Sequence, residues 1–325
     1  TRTVTARPAR MSVREWMHRT VGVTRREFIA ASAAACAGAC GARSPYREAG
    51  WRSWGGPGQR DGEFVRPRAV GIRRGEVYII DTTGRVQVFT TEGEFLRKWS
   101  MPSAENGTPT GVSFDHNQHV LIADTHYSAI REYTPEGELV TEWGTYGSEP
   151  GEFIYPTDIS RLPDGRSFIS EYGMDADRVQ VFDENNEFLF TFGEMGSEPG
   201  QFSRAMAIEV LGERVYVCDT VNHRVQVFEL DGTFNRMVGA EREEGAGIKY
   251  PYDAAVLPDG GVLACEYGNN RVSHFDPEGT FVGGYGGPGR ELGQFHGPRG
   301  IAVSDDGTVY VADTDNHRIQ AFELG

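Results

Sequence analysis

The sequence is short of nearly everything that would announce a known chemistry. Cysteine occurs four times in 325 residues, and only Cys218 and Cys265 lie beyond residue 40. There is no Cys-x-x-Cys pair and no His-x-x-x-His, so the usual zinc-site spacings are missing. No phosphate-binding loop or dinucleotide fingerprint stands in a strand-to-helix setting, and no nucleophile elbow is present. Long hydrophobic runs are absent too. The most apolar run, ending at Cys40, is about a dozen residues, too short to cross a ~30 Å hydrocarbon layer comfortably. Positive charge is scarce: 32 Lys and Arg against 47 Asp and Glu, a net charge of −15. The first 40 residues carry seven arginines and two acids, so the remainder stands at −20. A surface that acidic argues against nucleic-acid phosphates as a partner.

What is abundant is glycine, 42 residues, and repetition. The stretch Pro298 to Phe322 reads as three short strands: Ile301 to Val303 alternates, Asp305-Asp-Gly307 turns, Val309 to Ala312 alternates, Asp313 to His317 turns, and Arg318 to Phe322 alternates. An acid closes the second strand of each unit, at Asp81, Asp124, Glu171, Asp219, Glu266 and Asp313. The spacings are 43, 47, 48, 47 and 47 residues, a period that belongs to propellers or solenoids.

The motif Gly-x-Phe-x-x-Pro, then Asp-Gly, Val-Tyr-Val-Ala-Asp-Thr, Asn-His-Arg and Gln-x-Phe resembles the NHL repeat, and the resemblance covers residues 48 to 325. It is tightest in units 4 and 6 and looser in unit 2, where Ala129 stands in place of the arginine. It implies an all-β fold, a six-bladed β-propeller of NHL type. Five units show a fourth strand, over 94–99, 138–143, 187–192, 233–238 and 280–285, but the sixth runs out of chain. Gly50-Trp-Arg-Ser-Trp-Gly55 fits the missing place, and its sequel Gly55-Gly-Pro-Gly58 matches Gly286-Gly-Pro-Gly289. The N-terminal strand is therefore expected to close the C-terminal blade and leave no free edge.

Antiparallel order puts the turns between second and third strands, and the long glycine-rich returns, on one face, here called the top. Two residues after each leading proline, or its equivalent, stand Ala69, Gly111, Asp158, Ala207, Asp253 and Gly300. Blades 3 and 5 alone put aspartate there, and the same blades carry Glu171-Tyr172-Gly173 and Glu266-Tyr267-Gly268 in place of Asp-Thr. Asp158 with Glu171, and Asp253 with Glu266, are expected to face each other across a hairpin. They would form two carboxylate dyads able to hold Ca²⁺ or another divalent cation. The competing reading pairs each glutamate with an arginine of its own blade, Arg178 or Arg271. The top-face recognition set is completed by Tyr155, Tyr250, Tyr252, Arg204 and Arg299, with Arg66, Arg68 and Lys249 in the same leading segments. Cys218 and Cys265 sit in neighbouring blades, too far apart for a disulfide, and read as buried thiols.

Residues 1–40 read as an export signal. Arg25-Arg26 precede a run of small residues, as in a twin-arginine signal. Ala37-Gly-Ala-Cys40 suits a lipobox, with lipidation at Cys40, and equally a plain cleavage site. Residues 41–47 are a tether and 48–325 the propeller. The expected location is periplasmic, free or as a membrane-anchored lipoprotein, after passage through the export machinery. The resemblance implies a binding scaffold that takes a protein, peptide or glycan on its top face; export and the acidic charge argue for no nucleic acid, and no membrane contact is expected beyond a lipid anchor. The alternative it implies is a metal-dependent propeller enzyme of lyase or lactonase type, with a cation on the axis.

Overall fold

In the computed structural model, residues 50–174, 176–239 and 247–324 are described. The proposed export signal, Arg25, Arg26, Cys40 and the tether lie outside them. The described residues belong to one compact unit. Its strands make six four-stranded antiparallel sheets, over 67–100, 113–143, 155–192, 205–238 and 251–285, with the sixth over 300–323 completed by Arg52–Gly55. The fold is a six-bladed β-propeller, as the period requires.

Ring closure is explicit in the register. Arg52 pairs with Ala321 and Gly55 with Arg318, so the N-terminal strand is the outermost strand of the last blade. Its two tryptophans seal different seams. Trp51 stacks on Phe322 at 4.3 Å, over the core between blades 5 and 6. Trp54 lies against Phe89 of blade 1 and Tyr310 of blade 6, at 6.2 and 6.1 Å, beside the core between those two blades.

Each core lies between neighbouring blades, because strands pleated at period two present one row of side chains to each adjoining sheet. The phenylalanine that ends the third strand is fully buried in blades 1, 3, 4, 5 and 6, as Phe89, Phe182, Phe228, Phe275 and Phe322, and Tyr133 replaces it in blade 2. Cys218 and Cys265 are free and buried within these cores. Blade 2 departs from the plan: its first strand is only Ser113–Phe114. Just before it, a Cβ on Gly111 would lie 2.1 Å from Asp158 Oδ1, so the side-chain space of blade 2 is occupied by the acid of blade 3. Gly300 is small for a related reason, since a Cβ there would meet the blade 1 backbone at Arg68 O, 2.8 Å away.

Candidate functional site

The acids that close the second strands build one repeated device. Asp219 accepts the Ser203 N–H at 2.7 Å and pairs with Arg224 Nε at 2.7 Å, and that arginine donates to the carbonyls of Ser197, Glu198 and Gln201 in the return loop. Gln226 donates to both Asp219 and Gln201 O. Asp313, Arg318 and Gln320 repeat the pattern in blade 6. In blade 2, where Ala129 stands at the arginine register, Arg131 takes over and pairs with Asp124. A carboxylate here is thus the pin between a strand end and the loop that delivers the chain to it.

Glu171 and Glu266 belong to this device. Glu171 is fully buried, accepts the Ile154 N–H at 2.9 Å, and pairs with Arg178 at 2.7 Å and with Gln180. Burial raises its pKa, against the pull of Arg178. Glu266 accepts the Lys249 N–H at 2.7 Å, pairs with Arg271 at 2.9 Å, and takes the Ser273 hydroxyl. The expected facing of aspartate and glutamate across the hairpin does not occur. Glu171 lies opposite Pro156 and Asp158 opposite Ser170, with a bulge between them, and blade 5 repeats this with Pro251–Glu266 and Asp253–Cys265. The bulge turns the two carboxylates to different duties, so neither cation-binding dyad forms. Each glutamate has its arginine, as the competing reading held.

The aspartates instead join blades. Asp158 accepts the N–H of Ile159 at 2.9 Å and, in the next blade, of Ile208 at 3.1 Å. Asp253 accepts those of Ala254 at 2.8 Å and of Ile301, again one blade on, at 2.9 Å. Between them Glu209, which sequence reasoning missed, accepts the Val256 N–H at 2.7 Å. Burial pushes the pKa of Asp158 and of Glu209 up to about 7. Burial raises Asp253 well above the ordinary range, and the charge of Asp158 adds to the effect. The glutamate was missed because its register, four residues after Ala205, carries no repeat-wide signal.

Tyrosines and arginines occupy the top of these strands. At the residue after the closing acid, Thr220 and Thr314 donate to the carbonyls of Pro251 and Pro67 in the following blade. Blades 3 and 5 place Tyr172 and Tyr267 there, and their rings lie against Tyr155 at 5.5 Å and Tyr252 at 5.3 Å. Two guanidiniums cover these rings: Arg204 at 4.9 Å from Tyr172 and 5.8 Å from Tyr252, and Arg299 at 4.6 Å from Tyr252 and 5.0 Å from Tyr267. Tyr252 is therefore flanked by both. Arg68 stands close enough to feel them, its pKa lowered to about 10 by burial and then by Arg299. Burial pushes the Tyr252 phenol up, but Arg204, Arg299 and Arg68 outweigh it and hold the group below its usual value.

The rest of the predicted set divides. Tyr250 lies at a blade junction, where its N–H donates to His223 Nδ1 at 3.1 Å and its ring meets that imidazole edge-on at 4.3 Å. Arg66 pairs with Asp315 at 2.7 Å. Among the described residues, one trio of potential metal ligands lies within reach of a single point: Asp115, His119 and Glu132, at the first turn of blade 2 on the opposite face. His119 and Glu132 are 2.5 Å apart, and Arg161 takes the other Glu132 oxygen at 2.8 Å, which ties the trio into an internal polar network.

Comparison with known proteins agrees with this architecture. Residues 295–322 match the NHL repeat family. NHL repeat-containing protein 3 of Homo sapiens is 30% identical over 182 residues, half of this chain, and the chain spans about half the length of that relative. The peptidyl-glycine alpha-amidating monooxygenase of Mus musculus is 29% identical over 135 residues, covering 38% of this chain and 14% of that protein. Among solved structures, the virginiamycin B lyase of Staphylococcus aureus superposes with a TM-score of 0.61 at 11% identity, over 86% of this chain and all of the lyase, a likeness of fold alone. The chain is a six-bladed β-propeller whose closing blade matches the NHL repeat.

Proposed function

We propose that the protein is an exported binding scaffold that holds a protein, peptide or glycan partner on the top face of its propeller. The observation that carries this reading is the tyrosine–arginine cluster. Blades 3 and 5 lack the threonine that in blades 4 and 6 ties one blade to the next, and place there aromatic rings that lie against the arginines. Tyrosine and arginine are the side chains that supply most contact energy at recognition sites. The acids first considered for a cation accept backbone N–H groups, and the two glutamates pair with arginines of their own blades, which weighs against the metal-dependent alternative.

The binding half is tested by probing peptide and glycan arrays with the wild-type chain and with Tyr267→Ala. Tyr267 is half-buried and braces no blade junction through its hydroxyl, so the ring should survive. Discrete hits that vanish in the variant support the reading; arrays on which both proteins read alike reject it. Export and the lipid anchor are part of the proposal and rest on Arg25-Arg26 and Cys40. Changing both arginines to lysine should leave precursor in the cytoplasm, and mature protein at wild-type levels outside would dismiss the twin-arginine route.

A further inference from the structure

We infer that Arg68, Arg204 and Arg299 form an oxyanion site on the propeller axis, built to take a carboxylate or phosphate group of the bound partner. The inference rests on the binding reading above and gives it a chemistry.

The first ground is an imbalance of charge. The arginines that follow the closing acids are each matched with one: Arg85 with Asp81, Arg178 with Glu171, Arg224 with Asp219, Arg271 with Glu266 and Arg318 with Asp313. Among the described residues, no carboxylate lies within ion-pair distance of Arg68, Arg204 or Arg299. Their neighbours are neutral: the Thr108 hydroxyl accepts from Arg68 at 3.3 Å, and the Tyr172 and Tyr252 rings lie beneath Arg204 and Arg299. Nε of Arg204 and Nε of Arg299 are buried and have no partner among the described residues. The nearest acid to Arg204 is Asp177, and its carboxylate is taken up by the backbone N–H groups of Gly173 and Arg204.

The second ground is that the three cations are brought together rather than scattered. Arg68 and Arg299 follow the leading prolines of blades 1 and 6, which adjoin in the ring, and Tyr252 holds the same register in blade 5. Arg204 reaches the group from one residue before the first strand of blade 4, where its backbone is left-handed at φ 65°. A β-branched or ordinary residue is uncommon in that region, so the placement is enforced by the surroundings. Gathering like charges in a half-buried place is unfavourable unless something opposite completes it. The tyrosine rings lower that cost through cation–π contact but add no negative charge.

The chemistry that completes the set is an oxyanion. Guanidinium donors in a planar fork match the paired oxygens of a carboxylate or phosphate. The phenols of Tyr172 and Tyr252 offer hydroxyl donors to the same group, and the rings offer apolar faces to whatever body carries it.

Calorimetric titration of the full chain with inorganic phosphate and, separately, with citrate tests this and distinguishes the two oxyanions. At least one should bind saturably, and Arg299→Ala should weaken it at least about tenfold, with Arg299→Lys recovering part of the loss. Glucose serves as the neutral control and should not bind in competition. If Arg299→Ala unfolds, Arg68→Ala gives the same readout, since its guanidinium covers none of the tyrosine rings. Binding that survives both alanine variants overturns the site, and so does failure of both anions at millimolar concentration. Should both fail while array hits still depend on Tyr267, the oxyanion is withdrawn and the binding face stands.

Discussion

Removing residues 48–55 should yield a protein that melts far lower than the intact chain and self-associates through the freed edge. The deletion strips four paired positions from the edge of the last blade and leaves Arg318–Glu323 as an exposed strand. It also uncovers both seams that Trp51 and Trp54 seal, including the Phe322 ring and the edge of Tyr310. Both indoles are half-buried, so each is taken at about 2–3 kcal/mol, below the cost of deleting a fully buried tryptophan. Together they reach about 5 kcal/mol, comparable with the whole stability of an ordinary domain at ~5–15 kcal/mol. The freed edge then invites pairing with another chain. Thermal melting and light scattering decide it. An unchanged melting temperature in a monomeric variant would refute closure as a source of stability.

The second large effect is electrostatic. Glu209 is half-buried, accepts one backbone N–H from Val256, and has its pKa raised to about 7 by loss of solvent around its carboxyl. A carboxyl whose folded pKa exceeds its unfolded value binds its proton more tightly in the native state. Stability therefore rises as pH falls from about 7 toward the unfolded value of 4.5, and is lost as pH climbs through that window. Asp158, also raised to about 7, acts in the same direction. Replacing Glu209 by glutamine keeps an oxygen for Val256 and removes the charge. Glu209→Gln should then stabilise the protein at pH 8 by about 1–3 kcal/mol, with little change at pH 5. Melting curves of both proteins across pH 5–8 check it. A variant that melts below wild type at both ends would show that the carboxylate is held by contacts beyond that one N–H.

Ring, blade number and closure were legible because they are written in periodic signals. The expected fourth strand over 94–99 appears as Phe95–Ser100, and that over 187–192 as Phe188–Phe192. The roles of the acids were less legible. Asp158 and Glu171 stand 13 residues apart around a tight hairpin, which suggests that they face each other. The bulge between Pro156 and Asp158 displaces that register, and a bulge leaves no residue signature here. Glu209 was invisible for another reason: its hydrogen bond goes to a backbone N–H 47 residues away, and a backbone acceptor site carries no side-chain motif. The tyrosines and arginines were legible as exceptions to the repeat, since Tyr172 and Tyr267 stand where other blades have threonine.

The arginine cluster sits in a body that carries a net charge of −20 beyond residue 40. At physiological ionic strength the Debye length is about 8 Å, so an approaching anion first meets the diffuse negative surface and only at close range the three guanidiniums. A long polyanion must bring many charges through that outer field to place one group on the axis. A compact ligand with a single charged end brings only that end. Around the proposed oxyanion site, the same acidic body would act as a size-and-charge filter, admitting small or singly tipped anions and turning extended ones away.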